Sequence, residues 1–145
     1  MSPMSPVSLS IRNQIPGTVT AITPGEVMAT VKVRLTGGQD ITAAITLESV
    51  EELALAAGTA VRALVKSTEV SLATAPVEGL SIRNQLPGTV TEVTTGGAMA
   101  SVKVAVDGGE LTSAITRDAV TDLALTSGTP VVALIKSTEI SLATA

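Results

Sequence analysis

The chain has 145 residues and a formal net charge of -4; 45% of its residues are hydrophobic, 15% are charged, and Cys, His, Phe, Trp and Tyr are absent. Without Cys and His it cannot form disulfides, thiolate or imidazole metal sites, Cys nucleophiles or His-based triads. The acidic balance also argues against a partner with a phosphate backbone, because nucleic-acid domains usually carry a basic face.

The start of the chain and its apolar runs indicate a cytoplasmic protein. Residues 1–9 read as a short flexible lead-in of Ser, Pro and Met, without the basic start and apolar centre of a signal peptide. No apolar run approaches the roughly 20 residues that a membrane-spanning helix needs. We therefore expect no membrane association.

The first half of the chain begins with three predicted strands. The first covers residues 18–23, and Pro24 and Gly25 turn the chain after it. A period-2 alternation then predicts a second strand with one buried face, made of Ala29, Val31, Val33 and Leu35. Gly37 and Gly38 predict a hairpin turn, and in a third strand Ile41, Ala43 and Ile45 alternate with Thr42 and Ala44.

A short helix is predicted next, followed by two more strands. Thr46 is suited to be the N-cap, the helix covers residues 47–57, and Gly58 offers a C-terminal stop. A fourth strand contains Val61, Ala63 and Val65, and a fifth contains Val70 and Leu72. Residues 66–69 connect these two strands.

The second half of the chain repeats the first. Residues 10–14 read Ser-Ile-Arg-Asn-Gln and residues 81–85 repeat the same letters, as residues 136–139 repeat the Lys-Ser-Thr-Glu of residues 66–69. Residues 75–79 form the joint between the copies. We therefore predict two tandem domains, residues 8–75 and 79–145.

The order of elements indicates the fold class. Five strands with a helix between the third and the fourth follow the order of an OB-fold. We predict an all-β protein with one short helix per domain, built as two tandem OB-fold-like five-stranded Greek-key barrels. Another all-β topology stays open, because element order does not fix strand pairing.

The small size of each unit predicts association. Units of about 70 residues lie near the lower limit for a self-sufficient core, since folding buries only about 60% of the surface of such a chain. Without aromatic residues, the core must be built from Val, Ile, Leu, Ala and Met. We expect the remaining apolar surface to be buried between units and between chains in a tight homo-oligomer.

Three pairs of basic residues occupy matching positions in the two copies, and two of these pairs are accompanied by hydrogen-bond donors. Arg12 and Arg83 lie beside Ser and Asn residues, and Lys66 and Lys136 beside Ser and Thr residues. Such donor-rich groups suit an oxyanion, which only accepts hydrogen bonds. Thr46 and Thr116, at the helix starts, would add hydroxyl and backbone donors.

Each feature also has a purely structural interpretation. The pentapeptide is also compatible with a polar turn, residues 66–69 with a solvated connection, and Thr46 with a cap alone. The third matching pair, Lys32 and Lys103, is expected on the polar face of the second strand. Single-stranded nucleic acid is the usual OB-fold ligand, but its binding relies on aromatic platforms that this chain lacks. No nucleophile and base are paired, so we expect no enzyme.

The two motifs together resemble a known family. Ser-x-Arg-Asn-Gln followed by a hydrophobic residue and Pro-Gly-Thr-Val, with Lys-Ser-Thr-Glu near the end of the unit, resembles the Mop (or TOBE) domain of molybdate-binding proteins. Two such units, over residues 8–145, resemble the double-Mop molbindins of the ModG type. The resemblance implies a homotrimer of six Mop units that binds molybdate, and tungstate, between units. It implies cytoplasmic storage or buffering of the oxyanion, with no other cofactor.

The resemblance also implies two sets of ligands. The first set takes residues from one unit and residues from another: Ser10, Arg12 and Asn13 with Thr46, Lys66 and Ser67. The second set is equivalent: Ser81, Arg83 and Asn84 with Thr116, Lys136 and Ser137. Some of these residues would bind through backbone N–H groups. Two alternatives stay open: a molybdate-sensing module that acts on a separate partner protein, and a purely structural oligomer.

Overall fold

The computed structural model describes residues 8–144, so residues 1–7 of the predicted lead-in lie outside the described part. The first repeat contains β1 (Asn13–Pro24), β2 (Met28–Leu35), β3 (Asp40–Thr46), α1 (Leu47–Glu52), β4 (Ala60–Val65), a 3-10 turn (Ser67–Glu69) and β5 (Ser71–Ala73). The second contains β6 (Asn84–Thr95), β7 (Met99–Val106), β8 (Gly109–Thr116), α2 (Arg117–Asp122), β9 (Pro130–Ile135), a 3-10 turn (Ser137–Glu139) and β10 (Ser141–Ala143). The predicted fold class is confirmed.

Each five-stranded sheet contains strands from both repeats. One sheet has the order β10-β4-β1-β2-β3, and the other has the order β5-β9-β6-β7-β8. Leu142 of β10 pairs with Ala63 of β4, and Leu72 of β5 pairs with Ala133 of β9. The two repeats therefore exchange their last strands, although the predicted bounds at 8–75 and 79–145 follow the repeats in sequence.

The core joins the two repeats without any aromatic side chain. In β2 the buried residues alternate with exposed ones as predicted, and β7 buries the matching positions. The buried side chains of both repeats form one continuous cluster. Among the described residues, the large apolar side chains that stay exposed are Leu9, Val27, Met28 and Met99. Much of the apolar surface of each repeat is thus covered by the other repeat.

The helices are shorter than predicted, although their N-caps are confirmed. Helix α1 ends at Glu52 and not at residue 57, because Ala54 adopts a left-handed conformation with φ 51°. This bend carries Leu55 into the core, where its burial replaces the last helical turn. Gly58 lies in the following loop and donates its N–H to the carbonyl oxygen of Val19 at 2.8 Å.

Two glycine turns meet where the repeats face each other. A Cβ atom at Gly37 would overlap the backbone of Asp107, and one at Gly108 would overlap the backbone of Gly37. Gly108 also has a φ of 82°, which glycine adopts readily. The glycines of both hairpins therefore allow the β2–β3 and β7–β8 turns to touch.

Candidate functional site

Strand pairing places the two basic motifs of each repeat side by side. β1 begins at Asn13, earlier than the predicted start at residue 18, and Asn13 pairs with Val65 at the end of β4. Arg12, just before β1, and Lys66, just after β4, are consequently neighbours. In the second repeat, Asn84 pairs with Ile135 and places Arg83 beside Lys136 in the same way.

The first of these junctions forms a cleft of about 200 Å³. It is lined by Ser10, Ile11, Arg12, Lys66, Ser67 and Thr68. These side chains supply two cations and three hydroxyl groups, and none of them is a carboxylate. Within residues 8–144 the one ion pair joins Arg34 to Asp40, so neither Arg12 nor Lys66 is paired with a carboxylate of these residues. A lining of cations and hydroxyl groups is chemically suited to an anion.

Asn13 follows Arg12 but does not line this cleft. It is only 2% exposed, and its carboxamide bonds both backbone groups of Thr112 in β8. Asn13 Nδ2 donates to the Thr112 carbonyl oxygen at 2.8 Å, and the Thr112 N–H donates to Asn13 Oδ1 at 2.8 Å. The side chain thus acts as a short piece of strand along the edge of the other repeat.

Asn84 repeats this arrangement on β3. Its carboxamide bonds the backbone N–H and carbonyl oxygen of Thr42 at 2.8 and 2.9 Å. Its Nδ2 also lies 3.4 Å from Ser137 Oγ. We refer to these two carboxamide contacts, Asn13 to Thr112 and Asn84 to Thr42, as the asparagine clamps.

Arg83 has a different surrounding from Arg12. It lines a cavity of about 400 Å³ together with residues of the linker, including Glu78 and Gly79. The Gln85 carboxamide holds this linker by bonding the N–H and the carbonyl oxygen of Val77 at 3.0 and 2.9 Å. The linker therefore brings one carboxylate to the cavity beside Arg83.

The two helix-capping threonines are engaged locally. Thr46 Oγ1 accepts from the N–H of Ser49 at 3.1 Å, and Thr116 Oγ1 accepts from the N–H of Ala119 at 3.1 Å. Thr46 lines a separate cavity of about 500 Å³ with Glu26, Glu48, Glu51 and Glu52. Within one chain, the structure does not bring Thr46 to the cleft of Arg12 and Lys66.

The structure brings some of the predicted ligands together and separates others. One cleft is lined by Ser10, Arg12, Lys66 and Ser67. Strand pairing makes Arg83 and Lys136 neighbours. The carboxamides of Asn13 and Asn84 bond the backbone of the other repeat. Thr68 lines the cleft although it was not among the predicted ligands, and its place after Lys66-Ser67 was the available signal. Lys32 is exposed on β2, as predicted, away from the cleft.

Within residues 8–144, no helix is long and apolar enough to cross a membrane. No group of three or more acidic side chains there is arranged to hold a metal cation.

Comparisons with known proteins agree with the repeat. The family model of the TOBE domain matches residues 9–72 and again residues 80–142. The chain is 43% identical over 136 residues to the molybdenum-pterin-binding protein MopB of Rhodobacter capsulatus, covering 92% of this chain and 50% of that protein. It is 40% identical over 135 residues to the molybdenum transport protein ModE of Azotobacter vinelandii, with the same coverage. The chain thus spans about half the length of these curated relatives.

A solved structure provides a match over full length. It is described as the cytoplasmic molybdate-binding protein ModG with molybdate bound. The TM-score is 0.93 at 42% sequence identity, and the match covers 96% of this chain and 100% of that one.

Proposed function

The chain belongs to the TOBE-domain family, of which it carries two copies, and on this premise we propose that it binds molybdate beside Arg12 and Arg83. The observation that carries the proposal is the cleft of Ser10, Arg12, Lys66, Ser67 and Thr68, which offers donors and positive charge without a carboxylate. Its likeness to a ModG structure that holds molybdate supports the same ligand.

The chemistry of the cleft suits a tetrahedral dianion. A fully deprotonated oxyanion accepts hydrogen bonds and donates none, so a donor-only lining leaves no group without a partner. Lys66 and Arg12 would balance the charge, and the serine hydroxyls would fix individual oxygens. The protein binds and releases the anion without forming a bond to the metal, and it is a binding protein rather than an enzyme.

The proposed ligands divide into side chains that face the cleft and residues that shape it. Ser10, Arg12, Lys66 and Ser67 would bind directly in the first site, and Ser81, Arg83, Lys136 and Ser137 in the second. Asn13 and Asn84 would contribute through their backbone, because their carboxamides are engaged in the clamps. Thr46 and Thr116 would complete sites formed with a neighbouring chain.

We propose a homotrimer, because one chain does not bring all the proposed ligands of a site together. Thr46 lies in a different cavity from Arg12 and Lys66 of its own chain, so a site with all these residues needs a second chain. Three chains supply six units, the number that the family resemblance implies. An anion that binds only at completed interfaces would also stabilise the assembly.

We further propose that the protein stores and buffers molybdate, and accepts tungstate, in the cytoplasm. Reversible binding at several sites per assembly suits buffering, and the related ModG protein is described as cytoplasmic. Tungstate has the same charge and tetrahedral shape as molybdate, so the donor set does not distinguish them. Sulfate is smaller and would be rejected by the size of the completed site.

Native mass spectrometry tests the proposal directly. The purified protein is sprayed with sodium molybdate and, separately, with sodium sulfate at equal concentration. A trimer that takes up several molybdate ions and no sulfate is the expected result. A trimer that binds neither anion would contradict the binding function, and a monomer that binds molybdate would contradict the interface sites.

A further inference from the structure

The orientation of the Asn84 carboxamide follows from its backbone partners. The N–H of Thr42 must face an oxygen and the carbonyl of Thr42 must face a nitrogen, so Oδ1 and Nδ2 cannot be exchanged. Asn84 is 4% exposed, which keeps this pairing away from water. The nitrogen that donates to Thr42 is therefore also the atom that lies 3.4 Å from Ser137 Oγ.

This second contact constrains the hydroxyl of Ser137. Nδ2 carries two hydrogens, and the one that is not used by Thr42 can be donated to Ser137 Oγ. A serine oxygen that accepts from an amide keeps its own O–H available as a donor. Ser137 directly follows Lys136, as Ser67 follows Lys66 in the lining of the first cleft.

We infer that Asn84 is a positioning residue, which orients the Ser137 hydroxyl as a donor to the bound anion while it clamps β3. The inference rests on the proposed molybdate site, and it gives Asn84 a role other than that of a ligand. It acts through two contacts: the Thr42 backbone fixes the carboxamide, and the carboxamide fixes the hydroxyl.

The first repeat provides a matched control. Asn13 clamps the backbone of Thr112 with two bonds of 2.8 Å, as Asn84 clamps Thr42. Among the hydrogen bonds within residues 8–144, however, Asn13 has none to Ser67. A change at Asn13 should therefore disturb the clamp without changing the direction of the serine hydroxyl.

The test is a double-mutant cycle on molybdate binding, measured by isothermal titration calorimetry on the full chain. A Lys66→Ala background leaves the second site, in which Asn84→Asp, Ser137→Ala and the double variant are compared. An Asp carboxylate has no proton to donate, so the Ser137 hydroxyl would turn toward it and away from the anion. We expect about tenfold weaker binding for Ser137→Ala, from the loss of a hydrogen bond to a charged group, and a larger loss for Asn84→Asp, which also places a negative charge near the anion.

The double variant decides the inference. If Asn84 acts through Ser137, it binds about as weakly as Asn84→Asp alone, because one donor cannot be lost twice. Losses that multiply would overturn the inference. The control cycle uses Asn13→Asp and Ser67→Ala in a Lys136→Ala background, where the losses should multiply. If the asparagine and serine changes are coupled equally in both cycles, the loss of affinity comes from the broken clamp, and the inference is overturned.

Two further measurements distinguish a failure of the inference from a folding defect and from a failure of the proposed function. If Asn84→Asp does not fold, as judged by circular dichroism, Ser137→Ala is compared with Ser67→Ala in the same two backgrounds. A larger loss at Ser137 supports the inference, and equal losses overturn it. Wild-type protein that binds no molybdate contradicts the proposed function itself, whereas wild-type binding with independent changes at Asn84 and Ser137 contradicts only the inference.

Discussion

In the first repeat Arg12 shares its cleft with Lys66 and three hydroxyl groups, whereas in the second repeat Arg83 shares its cavity with the linker and the carboxylate of Glu78. The two repeats have the same motif residues, and equivalent strands carry these residues. In the second repeat the linker leads directly into the motif and is held there by Gln85. Equal motifs therefore need not make equal sites, and the variants below test how far the two differ.

The asparagine clamps are the feature that the repeats share most closely, and breaking them should have the largest effect. Asn13→Ala and Asn84→Ala each leave a backbone N–H and a carbonyl oxygen without a partner at a part-buried position. We expect each to lower the free energy of unfolding by about 2 to 4 kcal/mol, measured by urea denaturation. Gln85→Ala, which releases the linker and the carbonyl oxygen of Ile82 at a less buried position, is the control and should cost less.

Substitutions of the lysines test whether the anion binds at the basic junctions of both repeats. Lys66→Ala and Lys136→Ala should each remove one class of site and weaken binding there by about 100-fold, because each variant loses a charged donor to the anion. Lys32→Ala, on the exposed face of β2, should bind as wild type. Calorimetry would show half the stoichiometry for either cleft variant, and equal effects of all three changes would contradict the assignment.

Glu78 tests the difference between the repeats more finely. Glu78→Gln removes the carboxylate from the cavity of Arg83 while keeping the side-chain size. Binding at the second site should strengthen about two- to threefold at low salt, as expected for an exposed charge. The measurement is made in the Lys66→Ala background. The same change in the Lys136→Ala background should have no effect, and a loss at the second site would show that Glu78 supports it.

The smallest effect is expected for a pair that only the first repeat has. Arg34 and Asp40 form an exposed ion pair of 2.9 Å between β2 and β3, where the second repeat has Ala105 and Glu110. The hydrogen bond from Arg34 lowers the pKa of the Asp40 carboxyl, so any stabilisation is present above its unfolded pKa and lost as the pH falls through the folded pKa. Arg34→Ala should leave the melting temperature at neutral pH nearly unchanged, because exposed pairs contribute little. A clear fall in melting temperature would contradict this.

Much of the local structure could be predicted from the residues. The alternation of β2, the N-caps at Thr46 and Thr116 and the adjacency of donors to Arg12 and Lys66 are local properties, and the structure shows each of them. The helix end was wrong because Ala54 leaves the helical conformation to bury Leu55, and such a choice depends on the core rather than on propensity. The role of Asn13 could not be predicted either, since its partner Thr112 lies in the other repeat.

The sequence by itself determined the elements, the buried face of β2 and the donor chemistry of the clefts, because these depend on residues close together in the chain. Only the tertiary structure decided which sheet each last strand joins. β5 and β10 both read Ser-Leu-Ala, so neither contains any preference for its own repeat. The exchange places each of these strands, which have the same sequence, against a strand of the other repeat. Three-residue strands obtain their partner from the packing around them, and that packing involves the whole chain.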